Sequence, residues 1–160
     1  MAETDAADPD LLRPETWHPT VRGLYDHWLS IHPAVGLPGR QHVDPGAIPQ
    51  LLPHVFMVDV CRGPLRFRYR LVGTEYVHLM GRDLTGRYLD EVHPGFHGLI
   101  LRQYVEAAEQ RRPGYRKGPV MYARPDRRYL GMERVILPLA RNGSDVDVLL
   151  GAIAYIPALP

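Results

Sequence analysis

Between Leu65 and Leu71 the chain alternates without a fault: Leu65, Phe67, Tyr69 and Leu71 fall on one side, Arg66, Arg68 and Arg70 on the other. A period of two predicts a half-buried strand. The apolar run Val55–Val60 precedes it. Arg62-Gly63-Pro64 between the two reads as a turn, so the runs pair as an antiparallel hairpin. Gly73-Thr74 ends the alternation. Glu75–Met80 then reads as a short helical turn stopped at Gly81, and Asp83-Leu84-Thr85-Gly86 restarts the chain into a second turn over Arg87–Val92.

Helical spacing governs two longer stretches. Val21, Leu24, Tyr25, Trp28 and Leu29 give an apolar face to a helix over Pro19–Ile31, with Pro19 suited to its first turn and Pro33 ending it. Phe96, Leu99, Ile100, Tyr104, Ala107 and Ala108 mark the longest helix, over Pro94–Gln110, closed by Arg111, Arg112 and Pro113-Gly114. Between the first helix and the hairpin lies a Gly/Pro-rich linker, then a short helix capped by Asp44 that buries Ile48, Leu51 and Leu52 and stops at Pro53. The last third reads as three strands: Tyr115–Ala123, Tyr129–Leu139 and Val146–Ile156. Turns at Pro125-Asp126 and Asn142-Gly143 join them.

The final strand is apolar on both faces. Val148, Leu150, Ala152 and Ala154 line one, and Leu149, Ile153 and Tyr155 the other. Such a strand belongs in mid-sheet with a cover on each side. Placing it beside the first strand gives an α+β fold with a five-stranded antiparallel sheet in the order 2-1-5-4-3. The middle helices cover one face, and the N-terminal helix or a second subunit covers the other.

At 160 residues the chain is one domain's worth. Lys+Arg 19 against Asp+Glu 18 leaves the surface balanced, which offers no bulk attraction to nucleic acid or an anionic membrane. Cys61 stands alone, so no internal disulfide or cysteine cage can form. The acidic start MAETDAADPD is not a secretory signal, residues 1–13 read as a disordered tail, and no apolar run would span a bilayer. A cytoplasmic protein without membrane attachment is expected.

The segment FRYRLVGTEYVHLMGRDLTGRYLDEV, together with LPGRQHVDPGAIPQLLPHVFMVDV before it and RVILPLARNGSDVDVLLGA near the end, resembles a bacterial single-domain subfamily of the PAS superfamily, whose members carry R-L-V-G-T and G-R-D-L-T-G segments. The resemblance spans roughly residues 17–156. It divides the chain into the tail, an N-terminal helix and linker over 14–44, and a PAS-like domain over 45–157. It implies a sensory or interaction module, commonly dimeric and commonly holding a small molecule between sheet and long helix, without fixing one chemistry. Light-sensing flavin members place a reactive Cys in a short helix. Here that helix reads Glu75-Tyr76-Val77-His78-Leu79-Met80, so a flavin thiol is disfavoured. Haem members often use a His on the long helix, which makes His93 and His97 the candidate haem or metal ligands; no cofactor is assigned. No kinase, cyclase or DNA-binding segment accompanies the domain, so output is expected through contacts with a separate signalling protein.

Tyr76, Tyr88, Phe96, Tyr104, Met121, Tyr122 and Met132 are the expected lining of a ligand site, where phenols would orient a small aromatic or carboxylate ligand. Arg134 joins them. It alternates with Glu133 on a central strand, so one of the two must turn inward, and an internal ion pair is expected. Val21, Leu24, Tyr25 and Trp28 are the candidate contacts of a homodimer, against packing on the chain's own sheet. The arginines of the first hairpin and the interleaved Phe67 and Tyr69 point to opposite faces, so they cannot form one stacking platform for nucleic acid; charges on an edge strand guard against aggregation. Ser30 and Ser144 lie in no nucleophile elbow, and no phosphate-binding glycine loop is present. The reading is a non-enzymatic sensor or adaptor. The alternatives are a small α+β enzyme or carrier with a Tyr/His-lined pocket, and a purely structural interaction module with a filled core.

Overall fold

The computed structural model describes residues 13–119 and 129–157. Its strands are β1 (Val55–Cys61), β2 (Arg66–Val72), β3 (Gly114–Gly118), β4 (Tyr129–Leu139) and β5 (Val148–Pro157). They form one antiparallel sheet in the order β2-β1-β5-β4-β3, the order that the two-sided apolar pattern of the last strand predicts. The tail over residues 1–12, the second half of the third predicted strand and the Pro125-Asp126 turn lie outside the described residues.

The helices are α1 (Pro19–Ser30), α2 (Thr74–Met80), α3 (Leu89–Val92) and α4 (Gly98–Gln110). Two apolar layers sandwich the sheet. Val148, Leu150, Ala152 and Ala154 of β5 share one layer with α1. Leu149 and Ile153 share the other with α2, α3 and α4. Gly151 is the exception that lets the second layer close. A Cβ there would come within 2.2 Å of the Phe56 ring, which lies across the bare backbone of β5.

The first face is covered by the chain itself. Val21, Leu24 and Trp28 are buried against the sheet, and Tyr25 is half-buried between the rings of Trp17 and Trp28. These side chains, expected at a dimer contact, are therefore taken up within one chain, because both faces of β5 demand cover and α1 is the segment within reach. Polar bonds fix it in place. The Trp28 indole Nε1 donates to the Pro138 carbonyl at 3.0 Å, and the His18 backbone N–H donates to Glu133 Oε2 at 2.6 Å. Trp17 stacks on Tyr115 with ring centroids 4.6 Å apart.

Four expectations shift at the element level. Leu71 is 44% exposed, because β2 carries a bulge: Met57 pairs with Leu71 but Val58 pairs with Tyr69, and the extra residue turns Leu71 outward. Leu52 is exposed too, since the stretch after Asp44 forms two separate 3-10 turns, Pro45–Ala47 and Leu52–His54, rather than one helix. The long helix begins at Gly98. Residues His93 to Phe96 close a turn of their own, with the Phe96 N–H on the His93 carbonyl at 3.0 Å, which leaves Phe96 and His97 before the helix. The last connection is also longer than a two-residue hairpin. Asn142 Oδ1 accepts from the backbone N–H groups of Ser144 and Asp145, and β5 starts only at Val148.

The arginines of β2 face outward on the edge strand. Arg66 meets Asp90 at 2.8 Å and Glu91 at 3.0 Å, and Arg68 and Arg70 meet Asp59 at 3.3 and 3.6 Å. The stripe is thus neutralised along its length.

Candidate functional site

The two quoted glycine-bearing segments are the joinery of the second layer. In Arg70-Leu71-Val72-Gly73-Thr74 the chain leaves β2 hard against the preceding 3-10 turn. A Cβ at Gly73 would sit 2.4 Å from the Pro53 carbonyl oxygen, and the Gly73 N–H donates to Val55 O at 2.7 Å. Only a residue without a side chain passes there. In Gly81-Arg82-Asp83-Leu84-Thr85-Gly86, Gly81 ends α2 in the left-handed region at φ 78°. Asp83 Oδ1 accepts from both the backbone N–H and the hydroxyl of Thr85. The Gly86 N–H then donates to Tyr69 O at 2.7 Å, and the Tyr69 N–H donates to Arg87 O at 2.9 Å. The loop is stitched to β2 at Tyr69, and this presses Leu84 and Leu89 into the layer, both essentially without exposure.

Beneath that joinery an internal cavity remains between the sheet and the helices. Its free volume is about 30 Å³, enough for about two waters. Its walls come from every element of the layer: Phe56 of β1, Tyr69 of β2, Tyr76 and Leu79 of α2, Leu89 of α3, Ile100 and Tyr104 of α4, Met132 and Arg134 of β4, and Ile153 and Tyr155 of β5, with His93 and Phe96 from the turn before α4 and Arg116 of β3.

A buried polar chain lies along one wall. The hydroxyls of Tyr69 and Tyr76 are 2.8 Å apart, and the Tyr69 hydroxyl is 2.5 Å from His93 Nε2. Burial, with the charge of Arg82 adding to it, holds the His93 imidazole down to about 4. Burial first, and the neighbouring tyrosines after it, push the Tyr69 phenol well above its usual value. Near neutral pH the His93 ring and the Tyr69 phenol are therefore both uncharged.

The opposite wall carries charge. Glu133 and Arg134 are both buried, at 4% and 5% exposure, because the sheet is covered on both sides. The internal ion pair expected of a buried arginine does not form for Arg134 among the described residues, and Glu133 is not within its reach, because adjacent residues of a strand point to opposite faces. Glu133 turns toward α1 and sits 3.7 Å from Lys117 Nζ. Arg134 turns into the cavity wall, where its Nη2 donates to Gln103 Oε1 and its guanidinium lies 5.2 Å from the Tyr104 ring centroid.

Of the residues expected to line a ligand site, Tyr76, Phe96, Tyr104, Met132 and Arg134 converge on this cavity. Tyr88 does not. It sits at the sheet edge, bridged to Arg68, with the Arg66 guanidinium 3.7 Å from its ring centroid. Met121 and Tyr122 lie outside the described residues. The paired candidate ligands part company: His93 is buried in the tyrosine network and His97 is exposed. Among the described residues no three His, Cys, Asp or Glu side chains gather as a metal site. Haem does not fit these residues either, since His93 Nε2 is already engaged by Tyr69 and His97 is exposed and not part of the cavity wall. Tyr69, Phe56, Arg116 and Tyr155 are cavity residues that pattern reading left out. Tyr69 was within reach, because it alternates with Phe67 on the inward face of β2.

The family model described as PAS domain matches residues 16–154. Among curated proteins no match is found. The matched span runs from just before α1 almost to the end of β5, so it includes both covers of the sheet and every described cavity residue but Tyr155. No helix among the described residues is long and apolar enough to cross a membrane.

Proposed function

This chain belongs to the PAS domain family, and on that premise we propose that it is a cytoplasmic, non-enzymatic sensory module that binds a small molecule between its sheet and α2–α4 and reports it to a protein partner. PAS domains are typically sensory modules that mediate protein contacts and dimerise. The observation that carries the reading is the cavity itself, an aromatic-walled space into which a hydrogen-bonded Tyr–His–Tyr network and a buried arginine both point. Apolar walls with a few fixed polar groups are the common form of a small-ligand site. The space is small as it stands, so an occupant larger than a few atoms turns Met132 or Phe96 aside. Met132, with its flexible thioether chain, is suited to that.

Output runs through surfaces of the same unit. A homodimer, if that is the output form, uses a surface other than the apolar face of α1, which the chain's own sheet occupies. The test is direct: record the absorbance spectrum of the purified protein, denature it, and identify released small molecules by mass spectrometry. A stoichiometric organic molecule supports the reading. Steady turnover of a small substrate, lost on Tyr69→Phe or His93→Gln, would overturn it in favour of an enzyme.

A further inference from the structure

Resting on that reading, we infer that the cavity selects a carboxylate, an organic acid with a short apolar or aromatic body whose anionic end seats against Arg134. The first observation is an unmet charge. Arg134 is 5% exposed, and its Nε is buried with no hydrogen-bond partner. Its contacts are a neutral amide, Gln103, and the face of Tyr104. No carboxylate among the described residues forms an ion pair with it; the neighbouring acid, Glu133, serves the other side of the sheet. A guanidinium does not shed its proton to escape burial, and an uncompensated buried charge is among the costlier features a fold can keep.

The second observation is the charge pattern of the cavity as a whole. Among the described residues its lining contains two arginines and no aspartate or glutamate. Arg116 and Arg134 are direct cross-strand partners in the β3–β4 ladder and both reach the cavity. Like charges placed opposite one another repel, so a shared anion answers both. The remaining walls, Phe56, Tyr104, Ile100 and Ile153 among them, are apolar or aromatic. They suit the body of an organic acid better than a fully hydrated inorganic anion. A guanidinium offers a planar fork that matches a carboxylate.

The experiment compares matched pairs on the full chain by calorimetry and thermal shift: phenylacetate against phenylacetamide, hexanoate against hexanamide, with chloride and inorganic phosphate as controls. The acids are expected to bind at least about tenfold tighter than their amides, the worth of one charge-assisted hydrogen bond. Arg134→Met should abolish that preference while leaving the apo protein as stable as before or more so, since it removes an unpaired buried charge. The acid–amide comparison on the unaltered chain does not depend on that variant folding. An organic acid released on denaturation supports the inference as well. Equal binding of acid and amide, a neutral released molecule, or a response to the inorganic anions alone overturns the carboxylate assignment and leaves the small-molecule reading standing. No binding by any probe together with no released molecule brings down both.

Discussion

At the scale of single residues, the molecule spends its buried polar groups unevenly. Glu133 is fully engaged: it accepts from the His18 backbone and faces Lys117, so it ties α1 to β4. The Tyr69–His93–Tyr76 network is engaged among its own members. Arg134 keeps a buried Nε without a hydrogen-bond partner. His93 makes the cost of burial measurable. Folded, its imidazole titrates at about 4; unfolded, it returns to about 6.5. Between those values the unfolded chain binds a proton that the folded chain refuses. The stability held by the neutral ring is therefore complete above pH 6.5 and drains away as pH falls toward 4. Urea unfolding across that window should show the native chain losing up to ~1.4 kcal/mol per pH unit more than His93→Gln. Parallel pH profiles for the two would contradict the burial of a neutral imidazole there.

At the scale of elements, α1 is a structural cover. Its removal exposes Val135, Leu137, Val148 and Leu150 in mid-sheet. A variant lacking residues 1–32 is expected to lose its cooperative thermal transition or to aggregate, where a dispensable dimerisation arm would leave a folded monomer by light scattering. Glu133→Gln, which weakens the tie without stripping the face, should cost about 1–3 kcal/mol in denaturant unfolding. Elements were the most legible part of the sequence. The double-faced pattern of β5 placed it in mid-sheet, and the alternation of β2 placed Phe67 and Tyr69 inside. What misled was local: the bulge that flips Leu71 and the His93–Phe96 turn that delays α4 to Gly98. Neither changes the hydrophobic period, which is the signal being read. The site was half legible for a related reason. Tyr76, Phe96, Tyr104, Met132 and Arg134 could be assigned to an inward face one element at a time. Tyr88 looked identical in type and spacing, and only the stitching of its loop to the outer edge of β2 sends it to Arg66. The split of Glu133 and Arg134 to opposite faces follows from strand geometry. That both would be buried depends on two covers whose presence a single strand does not encode.

At the scale of the whole molecule, the sheet separates two tasks. One side, with α1, is an apolar layer tied down by Trp28 and Glu133. The other side is looser in chemistry. It holds phenols, an imidazole and two guanidiniums around a space that side chains leave open. A sensor needs such a division, with one rigid layer and one layer whose packing an occupant can alter. Two methionines report on it from opposite sides, since Met57 packs in the α1 layer and Met132 lines the cavity. The decisive measurement is a methyl spectrum of the methionine-labelled full chain, titrated with the molecule it releases or with phenylacetate. A shift or broadening of the Met132 methyl that saturates while Met57 stays put is the predicted result. Saturable binding that leaves Met132 unmoved would place the ligand elsewhere and contradict the cavity as the sensing site.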